Sequence, residues 1–98
     1  MKSPSRATRE AAETLAIQAL AFIAEDPENL ARFLGMTGIA AEQIRAAARE
    51  PDFLAGVLEH MLADESLLIG FADSAGIDPA QIARARQALG KTSDRNTS

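Results

Sequence analysis

The 98-residue chain contains no cysteine, tryptophan or tyrosine, and only four phenylalanines and one histidine. Without cysteine it has no disulfide framework, no thiolate metal site and no thiol nucleophile, a composition compatible with a reducing cytoplasm. No segment approaches the run of about 20 apolar residues that a membrane-spanning helix needs. Positive charge is missing from the middle: Glu50 to Asp78 holds seven acidic residues and no Lys or Arg. Cations gather instead toward the ends, at Lys2, Arg6 and Arg9 and at Arg84, Arg86, Lys91 and Arg95. Phosphate contact draws on clustered Lys and Arg, so the acidic middle disfavours broad binding to nucleic acid or anionic lipid.

Apolar residues make up 47% of the chain, many of them alanine, and the net charge is −4. A chain of this length buries roughly two thirds of its unfolded surface, enough for one small core. The alanine content predicts closely packed helices anchored by Leu, Ile and Phe. Residues 1–8 and 91–98 are polar and rich in Ser and Thr, so they are expected to form a flexible arm and tail around a single helical domain over 9–90.

At Gly38 the chain reads GIAAEQIRAA, and at Gly76 it reads GIDPAQIARA. Sliding the sequence by 38 positions pairs 15–49 with 53–87 and matches Leu20 with Leu58, Asp26 with Asp64, Leu30 with Leu68 and Phe33 with Phe71. It also matches Gly38 with Gly76, Ile39 with Ile77, Gln43 with Gln81, Ile44 with Ile82 and Ala47 with Ala85. The shared positions include the turn glycine, the cap and the large apolar anchors, which favours two related helical units over a coincidence of helical periodicity.

Ala12, Leu15, Ala16, Ala19, Leu20 and Ile23 follow the spacing that turns one helical stripe toward a core. The segment LAIQALAFIA, preceded by Lys2, Arg6 and Arg9, has the outline of an export signal. Glu10, Glu13 and Gln18 interrupt that outline, and the segment has a counterpart in the second unit, so it reads as a helix of the fold. Asp26-Pro27-Glu28 predicts a helix restart, with Asp capping, Pro at the first helical position and Glu at the positive dipole end. That helix should bury Leu30, Phe33 and Leu34 and end at Thr37-Gly38. A third helix is expected over about residues 40–49, with Ile44, Ala47 and Ala48 inward. After Pro51, the stripe Phe53, Leu54, Val57, Leu58, Met61 and Leu62 predicts the central helix. Asp64 caps the next one, Gly76 ends it, and Asp78-Pro79-Ala80-Gln81 opens the last, with Gln81 placed to accept from the cap amide. Nothing reads as a strand, and the expectation is an all-α, compact bundle of five to six helices.

Leu30 to Ala48 has the layout of a helix-turn-helix, with Gln43, Arg45 and Arg49 as the nucleic-acid contacts it would offer. A reader helix must bring polar side chains to base edges from its N-terminal end. Only Gln43 suits that role there, and Glu42 would meet phosphate repulsion, so an ordinary helical hairpin is the better reading. His60 has Asp64 one turn later, but a catalytic zinc site needs three protein ligands, and His60 aligns with Phe22 as a packing position. Gly90-Lys91-Thr92 lacks the earlier glycine and the strand of a phosphate loop. Ser66 and Ser74 read as turn and capping residues without a nucleophile elbow. No acid, base and nucleophile set emerges, so neither an enzyme, a cofactor nor a metal is expected.

Leu67-Leu68-Ile69 is more telling, because three adjacent residues span about 200° of a helix and cannot all face one core. Ile69, aligned with Ala31, is expected outward, joined by Leu67, aligned with Asn29. Rimmed by Glu65 and Asp73, this face is the expected surface for a protein partner or for self-association.

The stretch from Leu20 to Phe71, through the blocks AEDPENLARFLGMTGI and IRAAAREPDFLAGVLEHMLADESLLIGF, resembles a bacterial family of small helical proteins, domain of unknown function 3572. The resemblance covers most of the chain outside the two tails. It implies an all-helical soluble fold and brings no reaction, ligand or catalytic residue with it. The residues therefore point to a non-enzymatic interaction or regulatory adaptor of the cytoplasm, with a DNA-binding helix-turn-helix as the alternative.

Overall fold

The computed structural model describes residues 6–94, with side chains described over 7–89. Among the described residues six α-helices follow one another: α1 (Arg6–Glu25), α2 (Pro27–Thr37), α3 (Ile44–Ala47), α4 (Pro51–Ala63), α5 (Glu65–Ala75) and α6 (Pro79–Asp94). A 3-10 turn over Ala41–Gln43 leads into α3, and there is no strand among the described residues. The fold is all-α, as the composition and periodicity imply. No described helix is long and apolar enough to cross a membrane. Helices α1 and α6 each run a few residues into the segments expected to be flexible; the rest of the arm and tail, 1–5 and 95–98, lies outside the described residues.

Local chemistry accounts for the helix ends. Asp26 sits in an extended conformation and its Oδ1 accepts from the amide of Glu28 at 2.9 Å, while Pro27 occupies the first turn. Asp64 repeats the arrangement, accepting from the Leu67 amide at 3.2 Å. Such side chains satisfy amides that an isolated helix start leaves bare. Gly38 and Gly76 close α2 and α5 at φ of 75° and 70°, a left-handed conformation that costs a glycine little. Gln43 and Gln81 each accept from the amide three residues earlier, Ala40 at 3.0 Å and Asp78 at 3.1 Å. These three matched pairs thus hold similar local geometry 38 residues apart, and α2 and α5 are both 11 residues long.

The third segment differs from the expected helix over 40–49. Ala40 has no side chain with which to cap, the turn after it is 3-10, and α3 is only four residues long before the chain turns into Pro51. The corresponding α6 opens on Asp78, whose Oδ1 accepts from the Ala80 amide at 2.9 Å, and continues for 16 residues.

The core lies between α1, α4 and α6, with α2 and α5 covering its flanks. From α1 come Ala12, Ala16, Ala19, Leu20 and Ile23; from α4, Leu54, Ala55, Val57, Leu58 and Met61; from α6, Ile82, Ala85, Ala88 and Leu89. The alanines let the helices approach while the larger side chains interdigitate, each buried Leu, Ile or Met contributing about 1.5–3 kcal/mol. Helix α4 touches α1, α5 and α6, the central position its apolar stripe predicts.

Among the described residues three ring contacts join the units, Phe33 with Phe53 and two that the 38-residue shift relates to each other. Phe22 of α1 packs on Phe71 of α5 with centroids 5.5 Å apart, and His60 of α4 packs on Phe33 of α2 at 5.2 Å. Under the 38-residue shift Phe22 corresponds to His60 and Phe71 to Phe33. Each unit therefore supplies the ring that covers the other, and both contribute to one core.

Candidate functional site

Helix α5 carries the candidate face. Its buried positions are Leu67, Phe71 and Ala72, so the helix axis turns that side toward the core. With about 100° between successive residues, Ile69 then points away. It is 53% exposed, Leu68 is half-buried, and Glu65 and Asp73, four residues before and after Ile69, are exposed on the same side. Beside Ile69 lies an open depression of about 320 Å³ between the end of α5 and the start of α6, lined by Ala72, Gly76, Ile77 and Pro79.

Leu67 corrects the expectation that it accompanies Ile69. Only 6% of it is exposed, and its partner position, Asn29, is itself half-buried. The polar side chain in the first unit concealed an inward-facing site. The structure thus brings together Glu65, Ile69 and Asp73 and places Leu67 in the core.

The helix-turn-helix contacts do not assemble in that way. The Gln43 side-chain oxygen accepts from the Ala40 amide at 3.0 Å, which engages the one side chain suited to read a base. Arg45 lies in α3 and Arg49 in the turn beyond it; both are exposed, but a four-residue helix offers no extended reading edge.

His60 is half-buried against Phe33, in an edge-to-face arrangement at 77°. Burial holds its pKa below the ordinary value of 6.5; Asp64 works against that shift, and Arg32 adds to it. Arg32 and Asp64 approach each other at 3.7 Å, bringing a charge pair to the α2 side of the imidazole. It packs as a ring on Phe33, the contact its alignment with Phe22 implies.

A larger open groove of about 530 Å³ runs between α1 and α6, with Ala12, Ala85 and Ala88 along it and Gln18, Gln81 and Arg84 among its polar lining. Sequence reasoning did not locate it, because its walls come from opposite ends of the chain and neither bears a motif. Among the described residues no polar or charged residue is buried, and no three His, Cys, Asp or Glu side chains converge as a metal site would require.

No curated protein and no solved structure matches the chain. A family model described as a protein of unknown function (DUF3572) matches residues 9–92, which span all six helices but for the outermost ends of α1 and α6, and the chain belongs to that family.

Proposed function

We propose that this protein is a non-enzymatic interaction module, a regulatory adaptor of the cytoplasm, whose contact face is the outward side of α5. The observation that carries the reading is Ile69, an aliphatic side chain 53% exposed at mid-helix beside a depression. A single exposed aliphatic residue is common on soluble proteins. Here it stands at the edge of a concavity lined in part by Ile77 and Pro79, which gives a partner side chain both a knob to pack on and a place to enter. Association through such a face removes apolar area from water and tolerates salt, unlike phosphate binding.

The test is capture of partners from the protein's own cell lysate, with and without nuclease, using the tagged full chain, Ile69→Glu and Arg45→Glu. A defined protein that survives nuclease and is lost with Ile69→Glu is the expected result. Nucleic acid retained by the wild type and lost with Arg45→Glu would overturn it in favour of the helix-turn-helix reading.

A further inference from the structure

Resting on the assignment of α5 as the contact face, we infer that its partner is a cationic amphipathic helix that seats an aliphatic side chain beside Ile69 and reaches Glu65 and Asp73 with two Lys or Arg residues. Glu65, Ile69 and Asp73 stand at i, i+4 and i+8 of α5, so an acid, an aliphatic residue and an acid follow one another along one face. The two carboxylates are separated along the axis by about 12 Å, from eight residues at about 1.5 Å each. A partner helix with cations seven or eight positions apart has the matching reach.

Among the described residues no ion pair engages the two carboxylates of this face, and only the positive end of the helix dipole meets Glu65 at the start of α5. Ion pairs found among the described residues join Arg32 to Asp64 and Arg86 to Glu59, and neither engages Glu65 or Asp73. A neutral apolar helix laid across Ile69 would draw water away from these carboxylates without replacing it. Lysine and arginine replace it, and their aliphatic stems can lie over the apolar centre.

The same arrangement argues against a second copy as the occupant. A two-fold contact sets the same patch against itself. Centred on Ile69, an antiparallel pair of α5 helices brings Glu65 against Asp73 of the other copy, and a parallel pair brings Glu65 against Glu65. Both put acid on acid, whereas a cationic helix satisfies both ends at once.

Two synthetic helical peptides, identical except that one carries Lys and the other Glu on either side of a central Leu, are titrated into the ¹⁵N-labelled full chain. The Lys peptide is expected to shift the amides of α5 and of Gly76 and Ile77, with affinity falling as salt rises. The double variant Glu65→Lys/Asp73→Lys should weaken it by about tenfold or more, as two exposed attractions become repulsions, and should gain affinity for the Glu peptide. Glu10→Lys/Glu25→Lys, the same charge change at exposed positions of α1, should alter binding less than about twofold if the effect is local. Equal binding of both peptides, shifts centred away from α5, or equal loss in the α1 control overturns the inference. So does concentration-dependent dimerisation of the wild type that Ile69→Glu abolishes. A lysate partner lost with Ile69→Glu but kept by Glu65→Lys/Asp73→Lys leaves the face standing and refutes only its cationic partner; a partner kept by both refutes the face itself.

Discussion

Leu67 and Ile69 are two residues apart on one helix, and truncating each to alanine should give costs of very different size. Leu67→Ala removes three carbons from a side chain only 6% exposed. At about 0.8 kcal/mol per carbon the transfer loss is about 2.4 kcal/mol. The cavity left among its neighbours raises the total to about 2.7–5 kcal/mol. Ile69→Ala removes the same number of carbons from a residue already 53% exposed. About half of the transfer loss then disappears, and alanine's better helix propensity returns a few tenths of a kcal/mol, leaving a net cost below about 1 kcal/mol. Urea unfolding followed by circular dichroism separates the two: the Leu67 variant should lose midpoint concentration at an unchanged slope, while the Ile69 variant stays near wild type. In thermal melts the first should fall by about 10 °C or more, given about 4–8 °C per kcal/mol for a domain of this size. Equal destabilisation, or the reverse order, would refute the placement of α5 and with it the contact face.

Glycine gives a contrast of sign. An added Cβ meets nothing within 4 Å at Gly56 or at Gly76, but Gly76 has φ of 70°. Gly76→Ala should therefore cost about 1–2 kcal/mol of unfolding free energy, whereas Gly56→Ala, within α4, should stabilise by about 0.5–1 kcal/mol. Asp26→Ala, which strips the acceptor from the Glu28 amide, should cost about 1 kcal/mol in the same unfolding assay. His60 titrates with its folded pKa below 6.5, so the folded state holds fewer protons than the unfolded one as pH falls from 6.5 toward the depressed value. Stability should be unaffected by this group above that window and decline through it. His60→Phe, the residue found at the matching position of α1, should remove that part of the pH dependence; an unchanged profile would mean that the ring does not titrate against Phe33.

The parts legible in the sequence are those that short-range chemistry decides. Asp26, Asp64, Gly38, Gly76 and Gln81 announce helix ends because a side-chain acceptor two or three residues from a bare amide, or a residue free to adopt positive φ, acts within one turn. The stripe along α4 is legible for a similar reason, since a period of about 3.6 residues is a property of the helix itself. The third segment is helical where its periodicity predicts, with Ile44, Ala47 and Ala48 half-buried, but it is short and starts as a 3-10 turn because Ala40 has no capping side chain and Pro51 lies close behind. The inward turn of Leu67 is not legible along the chain, because Leu67-Leu68-Ile69 offers three adjacent apolar side chains to a helix that can bury only part of its circumference. Which of them turns inward depends on the rotation of α5 about its own axis. That rotation is set by packing on α4 and α6 and by Phe71 meeting Phe22, contacts with residues far away in the chain. The groove between α1 and α6 arises in the same way, from helices at opposite ends of the sequence. Periodicity and capping act within a few residues and can be read along the chain; the outward face of each helix follows only from which helices it packs against.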